Sequence, residues 1–167
     1  MDEDDNIDFD PFNNYDHLCE CLVFFVNRTW TLRGQNEPGN LLLTDLNFST
    51  SRTGRNSIEL KNLRGRKNGK LTLDNTSFTI GFENAIDEDT ENKYCVYKIM
   101  HYHKINHLPE NYSGKFFMQK ASKKELEERK SVGDFREAST TKAFTNYTFE
   151  RYTKSLARKC KFNNPEK

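Results

Sequence analysis

The apolar residues of this chain come in short clusters separated by turn formers, and that spacing limits what it can fold into. The longest run, Cys21-Leu22-Val23-Phe24-Phe25-Val26, has the length and composition of a buried strand. Gly34-Gln35-Asn36-Glu37-Pro38-Gly39-Asn40 marks a turn, and Leu41-Leu42-Leu43-Thr44-Asp45-Leu46-Asn47-Phe48 predicts a second strand. Ile58 and Leu60 alternate with Glu59 and Lys61, as in a half-buried strand. Asn68-Gly69 is a hairpin signal leading into Lys70-Leu71-Thr72-Leu73. Phe78, Ile80 and Phe82 alternate with Thr79 and Gly81. Tyr94-Cys95-Val96-Tyr97-Lys98-Ile99 and Phe116-Phe117-Met118 complete the predicted strands.

The pattern changes at Ser122. Ser122 followed by Glu125 is a capping-box pair, and good helix formers follow it, so a helix is expected over about 122–131 with Gly133 near its exit. Short strands, then a helix and a cysteine-bearing tail, predict a mainly β domain, a barrel or sandwich. At 167 residues one domain is expected over 9–167, after a mobile acidic N-terminus at 1–8.

Composition narrows the partners. Thirteen Phe and seven Tyr argue for a folded core, and a net charge of +1 gives no global field for nucleic acid. No apolar run is long enough to span a bilayer. Met1-Asp2-Glu3-Asp4-Asp5 is acidic where a signal peptide would be basic. Export is nevertheless the expectation, because four cysteines coexist with five Asn-x-Ser/Thr triplets, at Asn27, Asn47, Asn75, Asn111 and Asn146. Random placement gives roughly half as many triplets. Cys19 and Cys21 are too close to pair with each other and are expected to pair elsewhere.

Little points to catalysis. The chain has no Gly-x-Ser-x-Gly, phosphate loop or His-Glu-x-x-His, and no cofactor motif. His101 and His103 would share a strand face, as a metal pair requires, with His107 in a following loop, but no acid lies among them to orient the rings. Arg64-Gly65-Arg66-Lys67-Asn68-Gly69-Lys70 is basic but lacks neighbouring aromatics, so it is expected to be a solvated hairpin tip.

Three segments resemble the tick salivary lipocalins, the histamine-binding family. Asp10-Pro11 before Cys19 resembles that family's Asp-Pro pair before a cysteine. Tyr94-Cys95-Val96-Tyr97 is similar to its later cysteine-bearing strand. Phe116-Phe117-Met118, the capped segment from Ser122 and Arg158-Lys159-Cys160 follow its order of strand, helix and cysteine tail. The likeness covers about residues 8–163 through short motifs. It implies a lipocalin-like antiparallel barrel whose tail is tethered by a Cys19–Cys160 bond. The family's other disulfide lacks its second cysteine here, which leaves Cys21 as the implied partner of Cys95. The N-terminus is also short for the family's first helix and strand.

By that resemblance the protein would be a secreted lipocalin that sequesters a small host inflammatory mediator and damps the host response. The amine binders place an acid and a tryptophan where this chain has Phe116-Phe117-Met118. An eicosanoid or sterol is therefore expected over a biogenic amine, whose cation would lose its hydration without a carboxylate to replace it. Asp10, Phe24, Trp30, Phe78, Ile80, Tyr97 and Phe117 are the expected ligand-binding residues. The alternative is a secreted glycoprotein module that binds a host protein, with the barrel as scaffold.

Overall fold

A computed structural model of the chain describes residues 9–30, 36–61 and 85–159. Its elements are α1 (Tyr15–Thr29), the single turn α2 (Asn36–Gly39), a 3-10 turn (Leu43–Asp45), β1 (Leu46–Thr50), β2 (Asn56–Leu60), β3 (Ala85–Asp87), α3 (Val96–Asn106), β4 (Met118–Lys120), α4 (Lys123–Ser131), β5 (Ala138–Ala143) and α5 (Asn146–Lys159). The three strands β1-β2-β3 form one antiparallel sheet, and β4-β5 a two-stranded second one. The expected lipocalin-like barrel is therefore not formed: the described residues hold two small open sheets around long helices.

Helix replaces the expected strand at the longest apolar run. Cys21-Leu22-Val23-Phe24-Phe25-Val26 lies inside α1 rather than in a strand. The buried residues Tyr15, Leu18, Cys19, Leu22, Val23 and Val26 recur at three- and four-residue intervals, which is the helical period. Asn14 starts the helix by accepting the Asp16 and His17 backbone N–H groups on its side chain. The same reversal occurs at Tyr94-Cys95-Val96-Tyr97-Lys98-Ile99. Cys95 caps α3, its sulfur 3.5 Å from the Lys98 nitrogen, and Ile99, Met100 and His103 turn inward. A third helix, α5, follows a reciprocal Thr145–Thr148 cap and buries Thr148, Phe149 and Tyr152.

Other expectations agree with the structure. β2 buries Ile58 and Leu60 and exposes Glu59, and Phe48 and Ile86 flank Ile58 across the sheet. Ser122 caps α4 by accepting the Glu125 N–H, and Gly133 leaves the helix at φ +80°, where a side chain would be strained. The 1–8 terminus, the Asn68-Gly69 hairpin with its basic tip, and the strands expected at Lys70-Leu71-Thr72-Leu73 and around Phe78 and Ile80 lie outside the described residues.

One apolar cluster joins α1 to everything else. Beneath it Phe117, Phe144, Phe149 and Tyr152 pack ring on ring between β4, β5 and α5. The Tyr15 hydroxyl donates to the Met118 carbonyl at 2.7 Å and so fixes α1 to β4. Polar contacts along α1 and α5 advance together: Tyr152 donates to Asp16, then Ser155 and Lys159 donate to Glu20. Glu20 is 2% exposed, and Lys159 approaches its Oε1 to 2.5 Å. Glu20 Oε2 has no partner. The two helices therefore run parallel and share a buried carboxylate.

No disulfide links the described cysteines. Cys19 and Cys95 are buried free thiols, so the expected Cys21–Cys95 bond is not formed: the residues reside in different helical settings, one in α1 and one capping α3. Cys160, the expected partner of Cys19, lies outside the described residues. Burial pushes the Cys19 thiol well up, which keeps it protonated and unreactive.

Two outcomes follow from these buried polar groups. Lys159→Ala leaves the Glu20 carboxylate without its cation and is expected to lower stability by about 3 kcal/mol, whereas Glu20→Met with Lys159→Met is expected to stay within about 1 kcal/mol of the parent. Urea unfolding of the three proteins measures both. The second outcome concerns pH. Burial depresses His103 to about 3 and His107 to about 4, so both are neutral in the folded chain. In the unfolded chain they titrate near 6.5. Their contribution is complete above pH 6.5 and is lost as pH falls towards 4, because the unfolded chain then binds the extra protons. Between pH 7 and pH 5 the loss is expected to be about 4 kcal/mol, and His103→Gln should remove about half of that slope. A stability curve flat over that range would contradict this account.

Candidate functional site

The helical period sorts α3 into two faces. Ile99, Met100 and His103 face the core, with His103 Nε2–H donating to the Phe116 carbonyl at 2.9 Å. Tyr97, Lys98, His101, Tyr102, Ile105 and Asn106 fall on the other side and form the floor of a cleft of about 690 Å³. The loop containing Glu88, Thr90, Glu91 and Lys93 forms its wall. Lys98 holds this wall in place, donating to the Thr90 and Asn92 carbonyls at 3.0 Å each.

A second cleft, of about 450 Å³, adjoins the first. The two share Phe12, Tyr102 and Asn106. Phe12 packs edge-on against Tyr102 and stacks on Tyr94, and the Tyr102 hydroxyl donates to the Phe12 carbonyl. The two clefts meet at this aromatic saddle, and together they form a groove over α3. The far wall is the loop after α4, with Asp134, Phe135, Arg136 and Glu137. Arg129 fastens it, donating to the Arg136 and Ala138 carbonyls at 2.9 and 3.0 Å and pairing with Glu125 at 2.8 Å.

Large apolar side chains remain exposed along this groove: Ile105 at 55% and Phe135 at 70%. Its charges are balanced. Glu88 and Glu91 face Lys93 and Lys98 in the first cleft, and Asp134 and Glu137 face Lys130 and Arg136 in the second. His101 stacks on Tyr97 at 5.4 Å, and burial holds its pKa below the usual range.

The residues expected to bind ligand do not converge. Asp10 is half-buried; its carboxylate accepts the Phe12 N–H and the Asn13 amide, which holds its pKa below the usual range. It shapes the turn before α1. Phe24 is half-buried on α1 beneath the Arg28 guanidinium, Trp30 is buried at the end of that helix, and Phe117 is core. Phe78 and Ile80 lie outside the described residues. Of the set, Tyr97 alone lines one of these two clefts.

The histidines also separate. His101 and His103 would share a strand face, but α3 is a helix and puts them on opposite sides. No group of three metal-ligating side chains occurs among the described residues. His107 instead lies one turn after His103, with ring centroids 6.2 Å apart, and accepts the Glu137 N–H on Nδ1 at 3.2 Å. Tyr102, Ile105, Asn106 and Phe135 carry no sequence expectation of a site, and His107 carries one only as a third member of the histidine cluster. The spacing of Tyr97, His101, Tyr102 and Ile105 is a signal that could have found most of the groove, once the segment is recognised as helical.

No family model matches the chain, and the searches of curated proteins and of solved structures likewise return no match.

Proposed function

We propose that this protein is a non-catalytic binding module that holds a segment of a partner polypeptide in the groove over α3. The observation that carries this reading is that the two clefts adjoin at Phe12 and Tyr102, with Ile105 and Phe135 exposed beside them. An open groove with apolar anchors and balanced charge suits a peptide, whose backbone and side chains present both kinds of chemistry. A free lipid favours an enclosed apolar cavity. A nucleic acid favours a surplus of cations. Sequestration of a mediator inside a barrel loses its basis with the barrel; the protein-binding alternative loses the barrel as scaffold, and the face over α3 takes its place.

Export remains part of the proposal. Asn47, Asn111 and Asn146 are exposed and none lines the groove, so glycans there would leave it open. Asn27 is half-buried in α1 with Oδ1 enclosed and unpartnered, and Asn75 lies outside the described residues. Expression through a eukaryotic secretory pathway followed by glycopeptide mass spectrometry should find glycans at Asn47, Asn111 or Asn146 and not at Asn27. Export with all three bare would count against the assignment.

The binding claim is tested by selecting peptides from a random display library on the folded protein. Selected peptides are expected to lose at least about tenfold in affinity on Ile105→Glu or Phe135→Asp, since each places a charge where an apolar anchor docks. Both residues are exposed, so thermal stability should hold within about 0.5 kcal/mol. Peptides indifferent to both substitutions would refute the groove as the site.

A further inference from the structure

We infer that the second cleft carries an acid-sensitive latch: the neutral His107 ring holds its far wall closed, and protonation of that ring frees the wall and releases the bound segment. The release rests on the reading of the groove as a polypeptide site; the latch stands on its own geometry. His107 is the C-terminal cap of α3 and is 6% exposed. Its Nδ1 accepts the Glu137 N–H at 3.2 Å. Among the described residues this is the one hydrogen bond from the wall at 134–137 to α3 or its cap. The wall's other ties leave the imidazole out. Arg129 donates to the Arg136 and Ala138 carbonyls, the Asp134 N–H donates to the Arg129 carbonyl, and the Ala121 N–H donates to the Glu137 carbonyl.

A ring nitrogen that accepts a hydrogen bond carries no proton. The second proton of an imidazolium goes on Nδ1, breaks the Glu137 hydrogen bond and leaves two N–H groups facing each other. The neighbours do not offset this. α1 presents the Tyr15 ring at 4.9 Å, and α3 presents Tyr102 at 5.7 Å and His103 at 6.2 Å. The N-terminal turn adds Phe12 and Asn13, both uncharged. Across the cleft, α4 presents Lys130 and the wall presents Asp134, Arg136 and Glu137, two cations and two acids. Neither acid pairs with the imidazole: Asp134 accepts the Arg136 N–H at 3.0 Å, and Glu137 faces the Lys120 ammonium at 3.8 Å. Burial accordingly holds His107 down to about 4 while the wall is closed. Once the wall opens, the ring returns to its ordinary value near 6.5. The preference for the closed wall is complete above pH 6.5 and is lost as pH falls towards 4, because the open form then binds the extra proton. Global stability responds to both histidines. The wall responds to His107 alone, since His103 bonds the Phe116 carbonyl in the core.

Exchange of the Glu137 amide in the free protein, followed by NMR, tests the latch. With the intrinsic rate divided out, opening is expected to become about twentyfold more favourable between pH 7 and pH 5. The Asn92 amide, in the wall that hangs on Lys98, should change less than about threefold. His107→Asn puts a non-titrating oxygen close to the place of Nδ1 and should flatten the Glu137 response to less than about threefold. Slow amides of α1 report that both proteins are folded at pH 5. A nitrogen-15 titration of the parent's own imidazole needs no variant and should show Nδ1 unprotonated down to pH 5. A flat Glu137 response in the parent, the same rise in the variant, or Nδ1 protonated at pH 6 overturns the latch. Release is read separately, with the tightest peptide from the display selection. Its affinity for the parent should fall at least about fivefold from pH 7 to pH 5, and less than about twofold on His107→Asn. A peptide that keeps its affinity while Glu137 opens overturns the release and leaves the latch standing. A selection with no groove-dependent peptide overturns the groove reading and leaves the exchange result to decide the latch.

Discussion

The structure depends on the need of α1 to bury its surface on several sides. Its stripe of Tyr15, Leu18, Cys19, Leu22, Val23 and Val26 is almost wholly removed from water. Burial of that kind stabilises by about 1.5–3 kcal/mol for each large side chain, and no single neighbour could cover them all. α3 covers one flank, α5 another, and β4 is tied to its N-terminus by Tyr15. The buried Glu20 carboxylate sets the register of α5 along it, since Ser155 and Lys159 must both reach the same oxygen. Such a pair adds little net stability over an apolar replacement, but it penalises every other alignment.

That arrangement positions the groove. α3 is held against the core through Tyr97, Ile99, Met100 and His103, so the side bearing Ile105 and Asn106 is left to solvent. Two cations then fix the walls on either side. Lys98 gathers the backbone of the acidic loop, and Arg129 gathers the backbone after α4. Rigid walls lower the entropy lost when a flexible ligand docks. The aromatic saddle of Phe12 and Tyr102 links the N-terminal turn to the same face, which gives Asp10-Pro11 a structural purpose: the Asp10 carboxylate holds the turn that delivers Phe12.

How legible the fold was depended on the kind of signal. The Ser122 cap is local chemistry, and α4 appears where it was expected. β2 alternates cleanly because one face is buried and the other is not. α1 and α3 look like strands in the sequence because Val23, Phe24, Phe25, Val26 and Val96 have strand-like composition, and a buried helix can show an unbroken apolar run just as a buried strand does. Their three- and four-residue spacing was present, but composition outweighed it. The Cys21–Cys95 pairing fails with the fold that implied it. The groove was illegible because its members come from the N-terminal turn, α3 and the loop after α4, which only the packing on α1 brings together.

Hydrogen exchange read peptide by peptide, with and without a selected ligand, tests this account most directly. It predicts that amides within 15–29 exchange most slowly in the free protein, as expected for the central buried helix. Ligand should add protection over 102–107 and 134–137. Rapid exchange throughout 15–29, or ligand protection confined to segments away from α3 and the loop after α4, would contradict it.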